Sequence, residues 1–193
     1  MSLVLASNSA SRKAMLDAAG VQYSAQGADV DERALEAQAN GADPEDIALM
    51  LAEAKALGVE ARGALVLGSD SLVSVGGRRF DKPASRKEAA EHLHFFSGKI
   101  MHLHSAAALA QDGDIVWRHG AMAALHVRDL SDAFIADYLD AEWPEIGYCA
   151  GAFRIEARGP TLFDRIEGDM FTVLGMPLLP VLSALRDFGE LPR

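Results

Sequence analysis

The first apolar run, Val4-Leu5-Ala6, stops at Ser7-Asn8-Ser9-Ala10-Ser11. Apolar positions then resume at Ala14, Met15, Leu16, Ala18 and Ala19 before Gly20. The run predicts a strand, and the later spacing predicts a helix closed by the glycine. A weak strand over 23–25 follows, then the acidic Asp29-Val30-Asp31-Glu32. Asp43 is the expected N-cap of the next helix, with Pro44 at its first position and Glu45 and Asp46 at its positive end. Its predicted inner face is Ile47, Met50, Leu51, Ala54 and Leu57, and Gly58 closes it.

Residues 64–67 read as a buried strand running into Gly68-Ser69-Asp70-Ser71, and Leu72, Val73 and Val75 continue it to a hairpin at Gly76-Gly77. Ser85 and Glu88 form a capping box for a helix ending near Phe96, with Gly98 beyond it. Residues 100–110 and 115–127 are two long strands joined at Asp112-Gly113. A helix over 132–142 precedes Pro144. Short strands are expected at 153–155, 162–166 and 171–173, and a last helix over 178–188. Strands alternate with helices, yet the long hairpin requires antiparallel pairing. The fold class is α/β, a mixed sheet with flanking helices in two lobes around a cleft.

Composition narrows the class of protein. The 193 residues suit one generous domain or two small lobes, and with 50% hydrophobic residues a sizeable core is expected. A formal net charge of −10 argues against wrapping polymeric nucleic acid, whereas a mononucleotide needs only a few local cations. The single cysteine, Cys149, excludes an internal disulfide and a multi-cysteine zinc site. No apolar run approaches a membrane span, and no basic region precedes an apolar stretch at the N-terminus. A soluble cytoplasmic protein with no membrane partner is therefore expected.

Chemistry concentrates at two places. A strand, a hydroxyl-rich turn and a basic first helical turn make an anion site from Ser7, Ser9, Arg12 and Lys13, with phosphate as its natural occupant. The plainer alternative is that Ser9 or Ser11 only caps the helix while Arg12 and Lys13 face solvent. Asp70, just past an apolar strand on a Gly-Ser turn, can bind a divalent cation or take a proton from water; the alternative is a carboxylate that caps its own turn. Lys55, two residues after Glu53, and Lys82, before Pro83, are either further anion ligands or ordinary surface charges.

Three other patterns lead elsewhere. Ser69-Asp70-Ser71-Leu72 resembles the Gly-Asp-Ser-Leu block of serine esterases, but no histidine follows His126 to serve as base. His102 and His104 alternate onto one strand face near His92 and His94. Zinc would want three or four convergent ligands, so these read as surface or interface residues. Trp117 and Trp143 are expected in the core or at an interface, and Cys149 as a small buried residue.

Taken in order, the motifs resemble the Maf family of nucleoside triphosphate pyrophosphatases across nearly the whole chain. The family's Leu-Ala-Ser-x-Ser-Pro-Arg-Arg matches Leu5-Ala6-Ser7-Asn8-Ser9, departs at Ala10 and Ser11, and resumes at Arg12. Val30-Asp31-Glu32, Glu53-Ala54-Lys55-Ala56, Gly68-Ser69-Asp70-Ser71 and Asp81-Lys82-Pro83 follow. Then come Ser97-Gly98, Ala150-Gly151, Gly168-Asp169 and Gly175-Met176-Pro177-Leu178.

The resemblance implies a single domain over 1–193 whose two lobes are not independent. Its fold would be an elongated, twisted mixed sheet of the Maf and ITP-pyrophosphatase kind around a nucleotide cleft. It implies hydrolysis of a nucleoside triphosphate to the monophosphate and pyrophosphate. Asp70 would be the general base, Glu32 and Asp70 would hold a magnesium or manganese ion, and the protein would be a homodimer. Ser7, Ser9, Arg12, Lys13, Lys55 and Lys82 would bind the polyphosphate.

In that family base preference tracks the positions of Ser11, Ser71 and Glu156. The dTTP/UTP branch carries Arg, Thr and Gln there, and the 7-methyl-GTP branch carries Trp, Gln and Glu. Only Glu156 matches, and it matches the second set. Residues 149–153 and 161–165 also resemble that branch. A modified or purine base is therefore expected, with 7-methyl-GTP as the candidate substrate. A dTTP/UTP enzyme, or a non-catalytic nucleotide-binding protein of septum inhibition, is the alternative.

Overall fold

The computed structural model describes residues 2–39 and 41–192. Among these residues seven strands form one sheet: β1 (Leu3–Leu5), β2 (Ser24–Ala25), β3 (Leu65–Val75), β4 (Arg78–Phe80), β5 (Ile100–Gln111), β6 (Asp114–Val127) and β7 (Phe163–Glu167). The path runs β2-β1-β3-β5-β6-β7, with β4 paired to β3 off that path. β1 pairs in parallel with both β2 and β3, placing Leu3 opposite Leu65 and Leu5 opposite Leu67. β4 on β3 and β7 on β6 are antiparallel, so the sheet is mixed as expected.

Among the described residues the α-helices are α1 (Ala10–Ala18), α2 (Glu32–Gln38), α3 (Pro44–Leu57), α4 (Arg86–Phe96), α5 (Asp132–Glu142), α6 (Met170–Val173) and α7 (Leu178–Asp187). Contacts divide the chain into two compact units. The first comprises residues 1–71, 104–122 and 169–193, and the second residues 72–103 and 123–168. Strands β3, β5 and β6 each pass from one unit to the other. In the first unit, Leu5 and Leu67 pack with Leu16 of α1, Leu109 of β5 and Val181 and Leu185 of α7. In the second, α4 packs on α5, with Leu93, Phe96, Tyr138 and Leu139 buried.

Local chemistry explains the expectations that hold. The turn residues Asp112 and Gly113 both have positive φ (50° and 94°), which the two-residue turn of the long hairpin requires. Ser85 Oγ accepts from Glu88 N at 3.1 Å, and Glu88 Oε2 accepts from Ala84 N at 2.8 Å, so the capping box closes on the residue before the cap. Ser131 caps α5 through Phe134 N.

Other expectations need correction. Residues 153–155 are not a strand, because positive φ at Gly151 (84°) and Ala152 (54°) turns the chain out of the extended region. Residues 171–173 belong to helix α6, since so short an apolar run carries no period that separates helix from strand. Helix α2 has no buried residue and so no apolar stripe to reveal it; Asp31 Oδ1 caps it through Ala34 N. Asp43 sits at the N-cap of α3 without a capping bond from its side chain. Of the expected inner face of that helix Leu51 is buried, Ile47, Met50 and Ala54 are half-buried and Leu57 is exposed, while Ala48, Ala52 and Ala56 complete the buried face. Asp70 lies on no turn: β3 continues unbroken through Gly68-Ser69-Asp70-Ser71.

Among the described residues, no helix is long and apolar enough to cross a membrane.

Candidate active site

The alanine face of α3 and the glycine of β3 explain each other. A Cβ built on Gly68 would lie 2.1 Å from the Ala52 carbonyl oxygen and 2.5 Å from the Ala56 nitrogen. Helix and strand backbones therefore approach as closely as hydrogen side chains permit. Lys55 precedes Ala56 and Asp70 follows two residues after Gly68, so that approach brings the two side chains together. Lys55 Nζ donates to Asp70 Oδ1 at 2.5 Å and lies 2.8 Å from Glu32 Oε1. The Asp70 side chain is 8% exposed, Lys55 13% and Glu32 46%. Glu53 reaches a different partner, Arg118 Nη1 on β6 at 2.6 Å, and ties α3 to that strand.

The serine-rich turn supplies the second part. Ser9 is the N-cap of α1, its Oγ accepting from Arg12 N at 3.5 Å, so Ser9 rather than Ser11 fills that role. Ser7 is buried, and its Oγ accepts from Ser9 N at 3.2 Å and from Arg12 Nη1 at 3.3 Å. Arg12 does not lie on a solvated face: its Nε donates to the Gly175 carbonyl at 3.0 Å. Burial holds its guanidinium pKa below the ordinary value, against the opposing pull of Asp70 and then Glu32. Cation and carboxylates thus share one electrostatic environment. Lys13 and Ser11 are half-buried on the same first turn.

Hydroxyl groups tie the floor of this region together. Ser69 Oγ donates toward the Ala106 carbonyl at 2.8 Å, with the Gly175 carbonyl 3.3 Å away. Ser105 Oγ donates to the Thr172 carbonyl at 2.8 Å. A hydroxyl has one proton, so Ser71 Oγ, 3.0 Å from Ser105 Oγ, is left to donate to it. Pattern reading missed Ser105, Thr172 and the Gly175 carbonyl as parts of this region. The signal was present in Gly175-Met176-Pro177, since Gly175 has a φ of 99° and holds its carbonyl toward both Arg12 and Ser69.

Lys82 and Glu156 belong to the second unit, where both are exposed. Cys149 is half-buried rather than buried, and its charge environment includes Glu156, Arg154 and Lys82. Burial first, then Glu156, pushes its thiol pKa above the ordinary value, while Arg154 and Lys82 pull it back. A thiolate is the reactive form, so alkylation of the folded protein by iodoacetamide is expected to stay slow at pH 7–8. It should accelerate only as the pH rises past the usual thiol range, and urea-unfolded protein should label faster at every pH below that. Labelling of folded protein at pH 7 as fast as of unfolded protein would contradict this environment. Trp143 is half-buried against Gly147, and Trp117 is partly buried on the first unit's core. Among the described residues, no group of three or more His, Cys, Asp or Glu side chains is placed to hold a metal.

A family model described as Maf-like protein matches residues 2–188. The chain belongs to that family. It is 47% identical over 193 residues to a protein of Rhizobium meliloti named 7-methyl-GTP pyrophosphatase, covering 98% of this chain and 97% of that one. It is 46% identical over 198 aligned residues to a protein of Sphingopyxis alaskensis named nucleoside triphosphate pyrophosphatase, covering 100% of both. A Brucella suis protein, also named 7-methyl-GTP pyrophosphatase, is 46% identical over 188 residues, with 95% and 94% covered. A solved structure of a nucleoside triphosphatase (dITP/XTP pyrophosphatase) from Mycobacterium abscessus aligns with a TM-score of 0.38 and 19% identity, over 67% of this chain and 76% of that chain.

Proposed function

We propose that this protein hydrolyses a nucleoside triphosphate with a modified or purine base, of the 7-methyl-GTP kind, to the monophosphate and pyrophosphate. The observation that carries the proposal is the convergence of Asp70 and Glu32 on Lys55 Nζ, within the electrostatic reach of Arg12. The names of its full-length relatives support the same reaction.

In this mechanism Asp70 orients a water molecule and takes its proton as the water oxygen bonds to the α-phosphorus. The bond from that phosphorus to the bridging oxygen breaks, and pyrophosphate leaves. Arg12 and Lys55, with Ser7 and Ser9 beside them, offer positive charge and N–H and O–H donors to the polyphosphate, where negative charge develops. Lys13 and Lys82 are proposed as further phosphate ligands. Such a reaction depends on positioning and electrostatics and needs no covalent nucleophile.

A divalent cation fits the donor set. Magnesium commonly uses one or two protein carboxylates and completes its shell with water and substrate oxygens, and Asp70 and Glu32 already point at one cationic centre. Held by these two carboxylates, magnesium or manganese would supply further positive charge to the triphosphate oxygens. Lys55 would compete with such a cation for both carboxylates. Replacing Lys55 by Met is therefore expected to tighten manganese binding to the nucleotide-free protein by about tenfold or more, read by titration calorimetry. The same variant should lose turnover. Unchanged manganese affinity would remove the two carboxylates from the proposed metal site.

The proposal as a whole is tested by pyrophosphate release from 7-methyl-GTP, GTP, dTTP and UTP. Highest kcat/KM on 7-methyl-GTP or GTP is the expected result. Preference for dTTP and UTP would move the substrate to pyrimidines, and nucleotide binding without release from any of the four would leave only a binding protein. A homodimer is also proposed, to be read by sedimentation.

A further inference from the structure

The second unit contains an ion pair, with its carboxylate buried and its guanidinium half-buried, that the phosphate chemistry does not use. Glu142 ends α5 with its side chain 5% exposed, and its Oε2 accepts from both Arg154 Nε (3.3 Å) and Arg154 Nη2 (3.1 Å). Two donors from a planar guanidinium onto one carboxylate oxygen fix the direction of the arginine as well as its distance. A carboxylate this deeply buried is costly unless so paired.

Arg154 is also the hub of the loop that follows. Its carbonyl accepts from Ala157 N at 3.1 Å and from Gly159 N at 2.9 Å, closing residues 154–159 into a tight loop. Gly159 has no room for a side chain, since a Cβ there would meet that same carbonyl oxygen at 2.2 Å. On the entry side, the Ala152 carbonyl, at a residue with φ 54°, lies 3.4 Å from Tyr138 Oη of α5. Phe153 is buried, its ring 5.0 Å from that of Phe163 at 80°. Glu156 sits exposed within this closed loop. Its charge, with those of Glu142 and Glu145, contributes to the raised guanidinium pKa of Arg154, for which the hydrogen bonding to Glu142 is the first cause.

We infer that the Glu142–Arg154 pair is a positioning device for Glu156, making Arg154 and Glu142 determinants of base selectivity although neither is assigned to the nucleotide. The inference rests on the purine-nucleotide reading proposed above and takes Glu156, a position the family resemblance ties to base preference, as the group that accepts from a guanine-type edge or faces the charge of a methylated ring. A glutamate on a mobile loop would discriminate poorly, because ordering it would consume the difference in affinity between bases. Anchoring its loop to the end of α5 removes that cost before the nucleotide arrives.

The test compares kcat/KM for 7-methyl-GTP with that for UTP in the wild type and in Glu156→Gln, Arg154→Gln, Arg154→Lys and Glu142→Gln. Thermal melts check that each variant folds. Arg154→Lys keeps the charge but cannot place two donors on one oxygen, so it serves where Arg154→Gln fails to fold. Expected is a fall in the selectivity ratio of roughly tenfold in the Arg154 and Glu142 variants, from the loss of charged hydrogen bonding. Combining Arg154→Gln with Glu156→Gln should cause no further fall, because both act through one side chain. A merely structural pair would lower turnover on both nucleotides alike and leave the ratio intact. A ratio within twofold of wild type in folded Arg154 and Glu142 variants, while Glu156→Gln collapses it, overturns the inference and spares the base reading. An unchanged ratio in Glu156→Gln overturns both.

Discussion

Replacing Asp70 by Asn is expected to lower pyrophosphate release from every accepted triphosphate by roughly a hundred- to ten-thousand-fold, the usual cost of removing a general base. Asparagine keeps the shape of the side chain and an oxygen toward Lys55, so the change removes basicity and charge while leaving the strand intact. Asp70 lies inside β3 with its side chain 8% exposed, a rigid setting that gives the substituted amide little freedom to rearrange. The loss should fall on kcat rather than KM, because Arg12, Ser7 and Ser9 still offer their donors to the phosphates. Pyrophosphate release and melting temperature, measured on the same preparation, separate lost chemistry from lost fold. A folded Asp70→Asn protein with more than about a tenth of wild-type kcat would remove Asp70 from the role of base.

The position of Asp70 also shows where pattern reading stops. Gly68 and Ser69 interrupt an apolar run, which ordinarily marks a turn. Here both are consumed by packing: the missing Cβ of Gly68 admits the backbone of α3, and the hydroxyl of Ser69 finds the Ala106 and Gly175 carbonyls. A breaker whose conformational cost is met by tertiary contacts looks, in sequence, the same as one that turns the chain. The same applies to α3, where Leu51 is buried as expected but Ile47, Met50 and Leu57 do not share its burial. Ala52 and Ala56 face Gly68 of the strand, because close approach rewards small side chains over large ones. By contrast, the Asp112-Gly113 hairpin and the Ser85–Glu88 capping box are satisfied within a few residues, and both were legible.

The site divides in the same way. The roles of Ser7, Ser9 and Arg12 as neighbours are local, and a serine-rich turn before a basic helical turn announces them. The clasp of Arg12 on the Gly175 carbonyl spans 163 residues of chain, and Ser105 meets Thr172 across 67. No periodicity encodes such pairs, and of these four residues only Arg12 and Gly175 fall within the motifs that carry the family resemblance. Lys55 is intermediate. Its charge and helical position could be read in advance, but its placement on both carboxylates depends on the contact at Gly68.

That contact makes Gly68→Ala the substitution with the largest expected effect on the fold. The methyl group would fall 2.1 Å from a backbone oxygen and 2.5 Å from a backbone nitrogen of α3. No smaller side chain on the helix can relieve the overlap, since the atoms met belong to the main chain. The helix must therefore move away from β3, at a cost toward or beyond the upper end of overpacking, about 3 kcal/mol. For a chain of this length that corresponds to a fall in melting temperature of about 10 °C. Function should suffer beyond stability, because Lys55 rides on the displaced helix. A shift of about 1 Å in a charge-positioning group can cost a hundredfold in turnover, even at temperatures where the variant is fully folded. Circular dichroism melts and pyrophosphate release at 20 °C test the two halves separately. A Gly68→Ala protein with wild-type melting temperature and turnover would show that α3 and β3 are not in the contact that places Lys55 on Asp70.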